Sequence, residues 1–196
     1  MTAERLKGFS DGVFAVAITL LVLDLHVPQV APDQIGPQLL NLWPAYASYA
    51  LSFVVVGVYW VAHWSMCQEL ERADRNLAWI NIGLLASIAF IPFPAALLSR
   101  YPTQRPVVIL YGATLVVTGL FLRWLWVYAH RAGFLGELPP GLGAYAARLQ
   151  LTPPAIYLAG MLAAFINTWL AVSVYFVVPL LYVIPSRWVS GRPLQR

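Results

Sequence analysis

The chain has 196 residues, 60% of them hydrophobic and only 10% charged, with eight Trp and ten Tyr. That balance excludes a soluble domain of this size, and several long uncharged runs make the chain a polytopic membrane protein, in one compact bundle. The formal net charge is +4, but the basic residues are scattered at the ends of apolar segments and form no basic face, which argues against nucleic acid as a partner.

The first apolar run, at 9–27, carries Asp11 and Asp24 near its two ends. About a dozen uncharged residues separate them, short of the ~20 that a lipid-facing helix needs. A carboxylate inside a membrane is costly unless it faces protein or water, so this helix reads as the lining of a pathway rather than an anchor. Arg5 and Lys7 precede the run as in a secretory signal. The two Asp residues and the lack of an A-x-A-like site predict instead that the helix is retained.

Pro28 to Pro44 holds four prolines and reads as an external loop with at most a short interfacial turn. Further spans are predicted at 42–64, 76–99 and 106–129, with Gly133 to Gly143, including Pro139 and Pro140, as a turn between spans. The last uncharged run, Leu149 to Ser186, would make a helix of about 55 Å at 1.5 Å per residue, nearly twice the ~30 Å hydrocarbon core. It must fold back, and Asn167-Thr168 is the expected turn, giving short spans at 152–166 and 169–184. Pro179 and Pro185 bracket the end of the last. The expected fold is therefore all-α, a bundle of six transmembrane helices in a single unit over 1–196, with no internal repeat between its halves.

Six spans put both termini on one side. Arg5, Lys7, Arg72, Arg75, Arg131, Arg148, Arg187, Arg192 and Arg196 fall on that side, whereas only Arg100 and Arg105 fall opposite. The excess of positive charge places both termini in the cytoplasm. Trp43, Trp64, Trp124, Trp126, Trp169 and Trp188 lie near span ends, as an interfacial aromatic belt requires.

Projected at 100° per residue, Gly12, Val16, Thr19, Leu20 and Leu23 share one face of the first helix. Asp11 falls nearly opposite, and Asp24 lies on the flank toward the external end. Apolar stripes of this kind commonly serve packing alone, and the projection by itself does not choose between packing and a pore.

The run Arg5-x-x-x-Phe9-Ser10-Asp11 resembles the N-terminal signature of the transmembrane protein 175 family, the lysosomal potassium channels and their bacterial relatives. Gly57-Val-Tyr59-Trp60-Val-Ala-His63, Phe90-Ile-Pro92-Phe93-Pro94 and Pro179-Leu-Leu-Tyr-Val-Ile-Pro185-Ser-Arg187 extend the likeness over nearly the whole chain, with the bacterial single-repeat branch as its pattern. The resemblance implies a potassium-selective cation channel of the bacterial plasma membrane, multi-pass and homotetrameric, with potassium ions and membrane lipid as partners. Its pore would be lined by the first helix of each copy. The constriction would be a stack of aliphatic rings, and no Thr-Val-Gly-Tyr-Gly filter occurs here. Carried onto this chain, the rings fall on Val16, Leu20 and Leu23, with Thr19 as a hydroxyl ring between them. The first ring is commonly Ile or Leu in the family, so Val16 implies a wider neck.

Such a ring gates by dewetting, because water in a narrow apolar neck loses hydrogen bonds it cannot replace. Asp24 would raise the cation concentration at the outer mouth through its field. Asp11, turned from the axis, needs donors, for which Ser10, His63 and Trp64 are the candidates, and Arg5 is expected to pair with an acidic group between Glu69 and Asp74. Asn81 and Asn167 are expected to bond between helices. The alternative function is a proton conductor or proton-coupled carrier using Asp11 and His63 as a relay. No Ser/His/Asp set, paired glutamates or phosphate loop suggests an enzyme. The lone Cys67 excludes a cysteine metal site, and no cofactor is expected.

Overall fold

The computed structural model describes residues 3–137, 139 and 141–183. Pro140, Ile184, Pro185, Arg187, Trp188, Arg192 and Arg196, which carry parts of the topology expected above, lie outside the described residues. Apart from one isolated bridge, Leu70 with Leu135, the regular structure described is helical. The helices are α1 (Ala3–Leu20), α2 (Ile35–Asn41), α3 (Trp43–Gln68), α4 (Arg75–Phe90), α5 (Pro92–Arg100), α6 (Arg105–Arg131), α7 (Leu142–Leu149), α8 (Thr152–Ala163) and α9 (Thr168–Val183). Among the described residues, four segments are long and apolar enough to cross a membrane: Ala3–Asp24, Trp43–Gln68, Arg75–Arg100 and Arg105–Arg131.

Successive long segments run in opposite directions, as contacts at the two ends of the bundle make plain. At one end Asp24, after α1, lies 3.7 Å from Arg100 at the close of α5. There too Trp43 and Trp169, each opening its helix, stack with centroids 5.6 Å apart, and Arg105 Nε donates to the Ala164 carbonyl at 3.2 Å. At the other end Glu71 N–H donates to Phe134 O at 2.9 Å and Gly136 N–H to Glu69 O at 2.8 Å, tying the α3–α4 connection to the one after α6. Trp126 Nε1 donates to Gly143 O at 3.0 Å and seats α7 on α6.

Buried tyrosines cross-link the middle. Tyr59 on α3 donates to the Leu115 carbonyl at 2.6 Å, and Tyr175 on α9 to the Val108 carbonyl at 3.0 Å. Both acceptors lie in α6, whose carbonyls keep a second lone pair after their helical bonds. Tyr111 of α6 completes the set with Ser52 of α3 at 3.0 Å. The Tyr175 side chain fits because Gly112 on α6 and Gly160 on α8 lack a Cβ; at either position an added Cβ would collide with it. Small residues thus let α6, α8 and α9 approach closely around one buried ring.

Several boundaries differ from the sequence reading, each for a local reason. α1 starts at Ala3, and its last turn tightens into a 3-10 turn at Leu21–Asp24, so the helix stops short of residue 27. The segment expected as one helix over 76–99 is broken at Ile91. Pro92 has no N–H for the carbonyl four residues back, and Ile91 N–H bonds to Ile88 O at 3.1 Å in a tighter turn. α3 and α6 run past 64 and 129 to Gln68 and Arg131, and α7 is a helix where only a connection was expected. α8 ends at Ala163, before the expected 166, and the chain turns over 164–167 into α9. Asn167 Oδ1 accepts from the N–H groups of Trp169 (2.8 Å) and Leu170 (3.3 Å), so this residue caps α9 rather than bridging helices.

Asp74 caps α4 by accepting from Leu77 N–H at 2.7 Å, and its other oxygen accepts from Tyr128 Oη at 2.6 Å. The Tyr128 hydroxyl first, and the Leu77 amide second, hold this carboxyl below the usual carboxylate range. A carboxyl depressed on folding stabilises above its unfolded value, ~3.9, and that contribution is lost as pH falls through the lower folded value. Asp74→Ala should therefore lower the melting temperature of the purified protein at neutral pH. The gap to wild type should close in scans taken progressively below about pH 4.

Candidate functional site

α1 has two unlike faces. Leu6, Ser10, Phe14, Ala17 and Leu21, spaced four, four, three and four residues apart, are buried against the bundle. The face bearing Gly12, Val16, Thr19, Leu20 and Leu23 touches nothing that covers it: Val16 is 58%, Leu20 42% and Leu23 68% exposed. This is the face the helical projection selects. Thr19 Oγ1 lies 3.0 Å from the Ala15 carbonyl and 2.9 Å from that of Val16. Its proton is held by the helix, so the hydroxyl offers lone pairs rather than a donor.

The buried face is anchored by a short polar chain. Ser10 Oγ donates to the Leu6 carbonyl at 2.8 Å. Having spent its proton, it can only accept from Asn81 Nδ2, at 2.9 Å. The Asn81 amide is thereby oriented, and its Oδ1 faces His63 Nε2 at 3.0 Å. His63 must then carry its proton on Nε2 and leave Nδ1 as an acceptor. All three side chains are buried, and they belong to α1, α4 and α3. The Phe14 ring lies over His63, centroids 5.6 Å apart, and shields this chain from the next layer of α1.

Asp11 stands apart from the chain. It is exposed at the edge of α1, and its Oδ1 accepts from Trp60 Nε1 at 2.9 Å. The two residues border a groove of about 440 Å³ between α1 and α3 with Ile18, Val56 and Gly57 in its wall. The donors expected from sequence are therefore corrected: Ser10 and His63 meet through Asn81, Trp64 is exposed, and Trp60, one turn earlier on α3, supplies the bond to Asp11. Phe9 is exposed. Arg5 makes none of the expected pairs, since Asp24 with Arg100 is the ion pair found among the described residues.

Asp24 is also placed differently. Ideal α-helix geometry sets it on the flank of the Val16 face. In a 3-10 turn each residue advances by about 120° instead of 100°. Over Leu21–Asp24 this brings Leu23 above Leu20 and carries Asp24 round toward the protein, where it is 17% exposed and paired with Arg100. Its field at any opening along the Val16 face is correspondingly weakened.

The sequence motif described as endosomal/lysosomal potassium channel TMEM175 matches residues 5–92. A protein of Chamaesiphon minutus named as a potassium channel is 34% identical, with 93% of this chain and 94% of that protein aligned. One of Streptomyces collinus, likewise named, is 38% identical over 74% of this chain and 71% of its own. The crystal structure described as a lysosomal potassium-selective channel TMEM175 homologue from Chamaesiphon minutus superposes with a TM-score of 0.81 at 32% identity, covering 92% of this chain and 95% of that one. The human protein named as an endosomal/lysosomal proton channel TMEM175 is 24% identical over 65% of this chain, and the match takes in 26% of its own length.

Replacing Asn81 with Leu leaves the His63 Nε2–H without an acceptor in a buried layer while Ser10 keeps its bond to Leu6. The expected loss is about 1–3 kcal/mol, the cost of one orphaned buried polar group. Denaturant or thermal unfolding of the purified protein measures it. A Ser10→Ala variant leaves the buried Asn81 Nδ2–H without its acceptor and should lose a similar amount.

Proposed function

Because the chain belongs to the TMEM175 family, we propose that it is a potassium channel whose ion path is bounded by the Val16 face of α1 contributed by four copies of the chain. The uncovered apolar face of α1 carries this reading. A protomer that packs one side of its first helix so completely and leaves the other bare has a further surface to form, and a fourfold axis along that face encloses a passage.

In this assembly Val16, Leu20 and Leu23 make successive aliphatic rings. The narrowest resists water until hydration is sufficient to wet it. A cation crossing it sheds part of its shell, and potassium gives up water more easily than sodium. Thr19 lone pairs replace some of that hydration between the rings. Asp24 acts at the outer mouth only through what its pairing with Arg100 leaves unneutralised. Arg5, Phe9, Ser10, Asp11, His63 and Trp64 serve as the structural set behind the pore, with Asp11, Trp60 and their groove at the edge where a neighbouring copy would sit.

The proposed topology has six spans in the plasma membrane of a bacterium, with both termini in the cytoplasm. α8, at about 18 Å, is shorter than the ~30 Å core, and the described part of α9 covers about 24 Å; in this topology the two span as a packed pair. Arg72, Arg75, Arg131 and Arg148 lie toward the cytoplasm and Arg100 and Arg105 outside, in keeping with the positive-inside rule.

The vertebrate relatives' naming as proton channels favours a second reading, a proton conductor or proton-coupled carrier using Asp11 and His63. Against it, the two residues have separate partners, Trp60 for Asp11 and Asn81 for His63, and His63 is sealed in the bundle. Purified protein in liposomes with a potassium gradient decides between them: the channel passes potassium without obligatory proton movement, whereas strict coupling of the two fluxes would overturn it.

A polar ring at the neck should hold water. Val16→Asn is expected to raise single-channel conductance severalfold and to bring the potassium-to-sodium permeability ratio close to one in bilayer recordings. Unchanged currents would remove Val16 from the path.

A further inference from the structure

Two cavities meet at the end of the bundle where α1, α3 and α5 come together with the start of α9. One is apolar, about 260 Å³, walled by Leu51, Leu98 and Phe176 and framed at its mouth by the stacked pair Trp43 and Trp169. The other is polar, about 500 Å³, and bounded by Asp24, His26, Asn41 and Arg100. Pro44 and Pro102 line both, so the two spaces adjoin. The apolar space is smaller than the ~300–1,000 Å³ that encloses a whole small molecule, and it suits a segment of alkyl chain. Aromatic pairs at span ends mark the level where a lipid passes from tail to headgroup.

The polar cavity offers both signs of charge. Arg100 is 59% exposed, and its ion-pair contact is a single Asp24 oxygen at 3.7 Å, too long for a hydrogen bond. Most of its five N–H donors are therefore free. The Asp24 carboxylate accepts no hydrogen bond among the described side chains, although Asp24 is largely sheltered. His26 Nδ1 lies 2.8 Å from the Asp24 carbonyl oxygen, which can only accept, so the ring donates there and its Nε2 stays an acceptor. Arginine donors match a phosphate. The carboxylate with an imidazole nitrogen matches an ammonium.

We propose that these joined cavities seat one zwitterionic phospholipid of the phosphatidylethanolamine class, its phosphate on Arg100, its ammonium toward Asp24 and His26, and one acyl chain in the apolar space walled by Leu51, Leu98 and Phe176. A headgroup carrying phosphate alone would leave Asp24 facing a second negative charge, so the site prefers the zwitterion to an anionic lipid. This seat depends on the chain spanning a membrane and not on its passing potassium.

Native mass spectrometry of the purified full chain, titrated with phosphatidylethanolamine or phosphatidylglycerol of the same acyl chains, tests it. The ethanolamine lipid should be retained more tightly. Arg100→Gln should weaken it about ten-fold, as expected for one charge-assisted contact. Ala47→Trp, which fills the apolar cavity from α3, should abolish its selective retention, and Ser173→Phe does the same from α9 should the first variant fail to fold. Equal binding by wild type and Arg100→Gln, equal binding by the cavity-filled variants, or preference for phosphatidylglycerol would each overturn the proposal.

Discussion

The hydrogen-bond chain from Ser10 through Asn81 to His63 sets the rotation of the first helix, and the rest of the architecture follows from that angle. A helix can turn about its own axis at little cost when its neighbours offer only apolar contact. Three polar groups buried in an apolar layer remove that freedom, because any rotation leaves at least one of them unpaired. With Ser10 held inward, Val16, Thr19, Leu20 and Leu23 are obliged to face outward. That bare apolar surface is the one the proposed assembly turns toward its axis.

The tyrosine and glycine packing at the back of the bundle serves the same end. α6 accepts hydrogen bonds from α3 and α9 through carbonyls that helical bonding leaves half used, so the scaffold is cross-linked without placing a charge in the membrane. Tyr175 fills the notch between Gly112 and Gly160 and takes up the space that short helices leave. These contacts make the scaffold stiff on the side away from the bare face of α1. The break at Ile91 and the 3-10 turn at Leu21–Asp24 lie toward the end of the bundle where Asp24 and Arg100 pair.

Much of this was legible in the chain. Apolar runs bounded by charge marked the four long segments, and the length of the final run required a turn that Asn167 supplies. The helical projection separated the Val16 face from the buried one because α1 is regular as far as Leu20. What escaped was decided by partners distant in sequence. Asn81 reads as one polar residue in an apolar run, and nothing local says that it will meet Ser10 and His63. Trp60 and Trp64 are a helical turn apart on α3, and only the crossing of α1 over α3 selects Trp60 for Asp11. Pro92 and Pro94 signal the break at Ile91 locally, since a proline cannot donate to the carbonyl four residues back.

The tightening at Leu21–Asp24 shows how one turn of backbone divides two roles. Had α1 continued as an α-helix, Asp24 would stand beside Leu20 and Leu23 with its charge on the bare face. The extra rotation of a 3-10 turn aligns the side chains three apart, so Leu23 follows Leu20 and Asp24 follows Leu21. The apolar row is lengthened by one layer, and the carboxylate is handed to Arg100 on the protein side. An apolar row with its nearest charge withdrawn favours exclusion of water over attraction of cations. In the proposed pore, barrier height would rest on the size of the aliphatic side chains along this face, and the short Val16 would lower it.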